Sequence, residues 1–310
     1  MFIVRYLYKG VCMKYTGTVI QILSNIVIVD ISSINEKIKA TIKGNIKNKS
    51  NILVGDIVEV EKSYDTYIIS KVCERKNYFI RPPVANIDNL IICVSLIDPK
   101  PDYLLLDKQI IFCLKKGITP IICLNKIDRV NDKEELNTEV EYLKNVYGKE
   151  NDIKVILTSA KENIGIDELK EVLKAKISAF SGNSGVGKSS LTSKIMGDTN
   201  IEIGEISKKN KRGKNTTKDV KLYSIDNNTY ILDTPGFSSY ELYDIEYKDL
   251  RKYYNDFLKF KCIYEDCTHV NEKECVVKQA VLQNKIDSER YERYKYIYLE
   301  LFEKDKRKYK

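Results

Sequence analysis

The stretch "GNSGVGKSSL" constrains the fold of this 310-residue chain more than any other. Gly182, four further residues and Gly187-Lys188-Ser189 follow the apolar run "KISAF" and precede "LTSKIM". That context predicts a strand, a tight loop and a helix. Glycines let backbone N–H groups curl around an anion without a Cβ clash, and the helix N-terminus adds a favourable dipole. Gly182, Asn183, Ser184, Gly185, Val186 and Gly187 would wrap phosphate oxygens. Lys188 would reach the β- and γ-phosphates of a nucleotide, and Ser189 would ligate Mg²⁺. An ordinary glycine-rich turn has no need of the full pattern.

The flanking sequence agrees with an α/β domain. "NLIICVSLI" (89–97), "GITPIICLN" (117–125) and "DIKVILTSA" (152–160) are continuous apolar runs, the signature of strands buried on both faces of a parallel sheet. "YLLLDKQIIFCLKK", "KEELNTEVEYLKNVY" and "GIDELKEVLKA" read as helices, the last with Ile166, Leu169, Val172 and Leu173 at helical spacing. "VKLYSID" and "TYILD" add two strands. Strands alternating with helices predict a doubly wound fold. Upstream, five short β-branched runs between residues 13 and 72 predict a small OB-like or SH3-like barrel. Downstream, "YKDLRKYYNDFLKF" and the stretch from Ser288 predict Tyr-rich helices. The expected division is 1–75, an RNA-binding barrel; 76–238, the α/β domain; and 239–310, a helical zinc-binding domain.

More short motifs fall at strand ends. Asn125-Lys126-Ile127-Asp128 closes "ITPIICLN". A carboxylate at Asp128 can accept from the ring N–H and amino group of guanine together, which adenine cannot offer. The Lys126 stem would lie across the base, and Ser159-Ala160-Lys161 would support the guanine carbonyl. Asp233-Thr234-Pro235-Gly236 closes "TYILD"; Asp233 fits a magnesium-water ligand and the Gly236 N–H fits the γ-phosphate. Lys188, Ser189, Asp233 and Gly236 are therefore candidates for catalysis. Residues 207–221 carry seven Lys/Arg and one acid and read as a basic switch loop. Thr216 or Thr217 would complete the magnesium shell, with Thr217 the assigned ligand and catalytic candidate. Each motif alone is a common surface turn, but all of them at strand ends are not chance. In an ordinary small GTPase the phosphate loop comes first; here the base-reading segment precedes it. One site written in rotated chain order accounts for this.

The chain has eight cysteines and one histidine. Cys93 and Cys123 lie inside apolar runs and read as buried reduced thiols. Cys262-x4-Cys267-x-His269-x5-Cys275 supplies three thiolates and the one imidazole, a closed structural zinc set. No open ligand position or adjacent base suggests catalytic zinc. The chain is 43% hydrophobic and 31% charged, as suits a globular protein, and its net charge of +8 permits an acidic partner such as RNA. No apolar run approaches the roughly 20 residues of a membrane span. The N-terminal "MFIVRYLYK" is too interrupted for a signal segment, so a cytoplasmic location is expected, and the expected state is a monomer. Met13 reads as a cleaner start, with residues 1–12 a short extension.

With these residues in place, the chain resembles the bacterial circularly permuted GTPases of small-ribosomal-subunit assembly, the ribosome small-subunit-dependent GTPase A family. The resemblance covers nearly the whole length and rests on "RKNYFIRPPVANID", "LNKID", "SAK", "GNSGVGKSSL", "TT", "DTPG" and the cysteine–histidine spacing. It implies an OB domain, a permuted G domain and a zinc domain. It also implies binding to the 30S subunit and its rRNA, hydrolysis of GTP to GDP stimulated by that subunit, and a late role in its maturation. Family members commonly carry a histidine just before the switch threonines; this chain has Asn215 there, and Phe237 after Asp-Thr-Pro-Gly. Neither is a general base, so slow intrinsic turnover is expected. Two other readings compete: an RNA chaperone whose affinity nucleotide merely gates, and an ATP-dependent RNA-remodelling protein. Asp128 speaks against the latter.

Overall fold

The computed structural model describes residues 13–42, 52–80, 82–197, 220–233, 242 and 244–308. Residues 1–12, Thr216, Thr217, Asn215, Gly236 and Phe237 lie outside them, as does the side chain of Asp233. The chain divides into two compact units: residues 1–88 with 173–179 and 198–236, and residues 89–172 with 180–197 and 237–310.

In the first unit, β1 (Met13–Leu23), β2 (Ile26–Ile31), β3 (Glu36–Ile42), β4 (Ile57–Ser63) and β5 (Thr66–Val72) form the five-stranded barrel. β1 pairs antiparallel with both β2 and β4, β3 runs parallel to β5, and β4 pairs with β5, so the sheet closes. Period-two alternation sends Val27, Val29 and Ile31 of β2 and Val58 and Val60 of β4 inward. Each buried Val or Ile contributes about 1.5–3 kcal/mol. Gly17 is needed where β1 crosses β2: a Cβ there would meet Val29 Cγ1 at 2.6 Å and Asp30 O at 2.7 Å. Asp56, fully buried, accepts both arms of Arg75, with Nε to Oδ1 at 2.6 Å and one Nη to Oδ2 at 2.8 Å. The pair ties the segment after β5 to the turn before β4, and Ala85 N–H, donating to Val54 O at 2.8 Å, joins the hairpin of β6 (Tyr78–Ile80) and β7 (Pro83–Ala85) to that turn.

The second unit holds β8 (Asn89–Ser95), α1 (Tyr103–Lys116), β9 (Thr119–Asn125), α2 (Lys133–Tyr142), β10 (Lys154–Leu157) and α3 (Ile166–Leu173). β8, β9 and β10 are parallel and in register, Cys93 opposite Cys123. Both thiols are buried, as their apolar runs require. α1 starts on Asp102, which accepts from Leu105 N–H, and stops at Gly117 in the left-handed conformation. β11 (Ile177–Ser181) leads to α4 (Lys188–Met196). β12 (Lys221–Asp226) and β13 (Thr229–Asp233) belong to the first unit, where β13 runs parallel to Ile177–Ala179 and Gln21 of β1 pairs with Lys221.

The helix expected over 247–260 is broken. A 3₁₀ segment covers Tyr247–Tyr253, and α5 (Asn255–Leu258) follows. The chain pivots at Tyr254 (φ −118°, ψ 89°), whose buried ring packs on Phe257 and Tyr294. The pivot also lets Asn255 and Asp256 meet Asn151. α6 (Val276–Leu282) and the long α7 (Ser288–Lys308) complete the unit. Among the described residues, no helix is long and apolar enough to cross a membrane.

Candidate functional site

The candidate phosphate loop hangs between the end of β11 at Ser181 and the start of α4 at Lys188. Gly182, Gly185 and Gly187 have φ of 128°, 87° and 96°, values that L side chains rarely adopt. A Cβ on Gly182 would lie 2.2 Å from Cys93 O, so the loop rests directly on the backbone of β8. Val186 is buried and anchors the turn, while Ser184 and Gly185 face solvent. Lys188 Nζ donates to Gly182 O at 2.7 Å and Asn183 O at 2.8 Å, folding the ammonium back over its own loop. Burial holds the Lys188 pKa below the usual lysine value; an incoming polyphosphate would favour the charged form. Ser189 is exposed in the first turn of α4.

The segment after β9 touches this loop. Asn125 is buried, and its Nδ2 donates to Val186 O at 2.9 Å. Its Oδ1 accepts from Thr158 Oγ1 at 3.1 Å. A Cβ on Gly187 would fall 2.3 Å from Asn125 Nδ2. Lys126 adopts φ 65°, and its Nζ donates to Asp98 O at 2.7 Å. Ile127 opens a 3₁₀ turn that carries Asp128, and Ile127 N–H donates to Thr158 O at 3.3 Å. Asp128 Oδ1 accepts from Ser159 Oγ at 2.5 Å, and Ser159 Oγ in turn accepts from Glu162 N–H at 3.0 Å. The carboxylate is thereby oriented by a buried hydroxyl and retains acceptor capacity for a second donor. Ala160 is buried; Lys161 is exposed beside Glu162. The structure thus brings Asn125–Asp128, Ser159–Lys161 and Gly182–Ser189 into one neighbourhood.

Cys262, Cys267, His269 and Cys275 also meet. Their ligand atoms all lie within 4.8 Å of one another. His269 Nδ1 is 3.5, 3.3 and 3.4 Å from the sulfurs of Cys262, Cys267 and Cys275, and Cys262 Sγ is 3.8 Å from Cys275 Sγ. A tetrahedron with zinc–sulfur bonds of about 2.3 Å has sulfur–sulfur edges of about 3.8 Å and sulfur–nitrogen edges of about 3.5 Å. The donor set fits zinc bound through Nδ1, and four protein donors leave no open position. Burial, helped by Arg251, lowers the His269 pKa to about 4, which keeps the imidazole neutral and ready to bind metal. Burial pushes the Cys267 thiol up to about 12, so a thiolate there calls for a cation.

The support of this cluster is not written in the ligand spacing. Glu272 accepts from Thr268 N–H at 2.7 Å, Thr268 Oγ1 at 2.9 Å and Val270 N–H at 3.1 Å, which ties the knuckle between its ligands. From α7, Tyr291 OH donates to His269 O at 2.7 Å and Tyr294 OH to Thr268 O at 2.5 Å. Sequence reasoning also missed Thr158, which bonds Asn125 and directly precedes Ser159, and the turn at Asp98 that receives Lys126. Thr158 was visible as the first residue of "TSAK". Asp98-Pro99 marked the other turn, but nothing in the sequence pointed from it to Lys126.

Residues 72–243 match the family model described as RsgA GTPase. Over 268 residues the chain is 43% identical to the small ribosomal subunit biogenesis GTPase RsgA of Caldanaerobacter subterraneus subsp. tengcongensis, covering 84% of this chain and 88% of that protein. The crystal structure of YjeQ from Thermotoga maritima superposes with a TM-score of 0.80 at 34% identity, covering 94% of this chain and 99% of that one. YloQ, described as a circularly permuted GTPase, gives a TM-score of 0.79 at 28% identity, covering 94% and 96%.

Proposed function

The chain belongs to the RsgA GTPase family, and from that membership we propose that it hydrolyses GTP to GDP and phosphate on the small ribosomal subunit, whose late maturation it assists. The observation that carries this is the 2.9 Å bond from Asn125 Nδ2 to Val186 O. It joins the base-reading segment to the phosphate loop although the two stand in reversed chain order.

In this reading, Asp128, steadied by Ser159, accepts from the guanine ring N–H and amino group, and the Lys126 stem covers the base. The loop amides from Gly182 to Gly187 cradle the phosphates, and Lys188 exchanges its loop carbonyls for β- and γ-phosphate oxygens. Ser189 would hold Mg²⁺ with Thr217, while Asp233 would bind a water of that ion and Gly236 would meet the γ-phosphate. When bound, the ion neutralises charge developing on the transferred phosphoryl group. Asn215 and Phe237 offer no base to activate water, so turnover in the free protein is slow and the subunit supplies the missing order. The barrel, residues 1–75, takes rRNA; residues 76–238 turn over GTP; and residues 239–310 hold a structural zinc through Cys262, Cys267, His269 and Cys275.

GTP turnover measured with and without purified 30S subunits tests this reading. Phosphate release should rise by about a hundredfold to a thousandfold on adding subunits, the scale of one preorganised transition-state donor. Equal rates with and without subunits would reject ribosome-dependent hydrolysis.

A further inference from the structure

Helix α1 presents two occupied faces within the second unit. Leu104, Lys108, Ile111 and Lys115 recur at helical spacing on one of them. Leu104 and Ile111 pack into the C-terminal apolar cluster. Lys108 pairs with Glu300 of α7 at 2.6 Å, and Lys115 donates to the backbone oxygen of Asp244. Beside them Asp107, 1% exposed, accepts from Arg293 Nε of α7 at 2.5 Å and from Tyr147 OH at 2.9 Å. Arg293 also donates to Tyr142 OH at 3.0 Å and Tyr147 OH at 3.2 Å. Two residues further along α1, which is about 200° around the helix, Gln109 faces the other way. Its buried Nε2 donates to Ser181 Oγ at 2.8 Å. Ser181 is the residue immediately before Gly182. Leu106, Gln109, Cys93, Gly182, Asn183 and Val186 share the lining of a cavity of about 20 Å³ behind the loop, room for about one water.

We propose that Arg293 and Gln109 are positioning residues for the phosphate loop, coupled to each other through α1. Neither touches nucleotide. Arg293 is the main cation facing the buried Asp107, and removing it would leave a desolvated carboxylate to find another arrangement. An α-helix closes its backbone hydrogen bonds internally and moves as a rod, so a shift at Asp107 is felt at Gln109. Through Ser181, Gln109 sets where the loop begins. A partner that engages α7 can therefore change the grip on phosphate without approaching the nucleotide. This inference rests on the reading of residues 182–189 as the GTP phosphate loop.

The test uses the full chain as wild type, Arg293→Met, Arg293→Lys, Gln109→Leu and the Arg293→Met/Gln109→Leu double variant. A fluorescent GDP and a non-hydrolysable GTP analogue are titrated at a temperature where circular dichroism shows each protein folded. Each Met or Leu single variant should weaken binding by about threefold to thirtyfold. The double variant should be weakened less than the product of the two single effects, the mark of coupled sites. Arg293→Lys keeps a cation beside Asp107 but loses the fork to the tyrosines, so its affinity should fall between wild type and Arg293→Met. A lowered melting temperature with wild-type affinity in both Arg293 variants would reduce Arg293 to a structural role and overturn the proposal. So would effects that multiply fully. If Arg293→Met does not fold, wild-type affinity in Arg293→Lys overturns it alone. A wild-type chain that binds no guanine nucleotide would sink the underlying reading instead, a result distinct from either.

Discussion

A Cβ on Gly187 would sit 2.3 Å from Asn125 Nδ2, so the absence of a side chain at one residue lets the two halves of the candidate site close. Asn125 then satisfies both ends of its amide, giving a hydrogen to Val186 O and accepting one from Thr158. A buried amide with both ends paired is strongly held, because an unpaired end costs about 1–3 kcal/mol. Asp128 is the residue that would choose the base. Asp128→Asn replaces one of its two acceptor oxygens with a donor, which opposes guanine and suits xanthine. GTP affinity should fall by about tenfold to a hundredfold, in line with hydrogen bonds to a charged group, and xanthosine triphosphate affinity should rise. Competition binding with the two nucleotides checks this; an unchanged preference for GTP would remove Asp128 from base reading.

Among the elements, the cysteine–histidine knuckle between α5 and α6 depends most on something other than apolar burial. Cys267 and Cys275 are buried in the C-terminal core and Cys262 packs against its edge, while Ile263 and Tyr264 between them are exposed. The knuckle is held by its four convergent donors, by Glu272 from within and by two tyrosines of α7 from without. A structural zinc bound by such a set carries an apparent binding free energy of about 10–16 kcal/mol near neutral pH, comparable to the stability of a whole domain. Chelation should therefore lower the far-ultraviolet helical signal of α6 and of the start of α7, with one zinc released per chain, and Cys275→Ser should abolish stoichiometric zinc. Full helicity in a protein shown to hold no metal would mean that the core alone suffices. Packing likewise decides the broken helix at 247–260. Its residues have helical propensity, but burying Tyr254 against Phe257 and Tyr294 outweighs one unbroken helix.

For the molecule as a whole, the net charge of +8 bears on its proposed partner. The barrel turns Lys37 and Lys39 of β3 outward while Ile38 and Ala40 fill its interior. A protein that neutralises about five rRNA phosphates should lose roughly a hundredfold in affinity between about 50 and 200 mM salt. Sedimentation with small subunits across that range would measure the slope; a flat profile would assign the contact to protein rather than rRNA.

How much of this was legible beforehand depends on how local the cause is. The phosphate loop, the base-reading segment, the five barrel strands and the limits of α1 follow from glycines, caps and hydrophobic periods within a few residues, and those signals act on short stretches of backbone. The ligand set at 262–275 is equally local, since its spacing lets one knuckle gather four donors. The rotated motif order already implied that the base-reading segment meets the phosphate loop; what lay beyond the sequence is the particular side-chain links between distant segments. The bond from Asn125 to the phosphate loop, the pairing of Asp107 with Arg293, the reach of Gln109 to Ser181 and the pivot at Tyr254 all depend on which helix packs against which strand. Sequence by itself determined the elements, the motifs and the rotated order in which they stand. Only the tertiary structure decided which side chains meet, because burial and hydrogen-bond pairing between remote residues are settled when the core closes, not when each element forms.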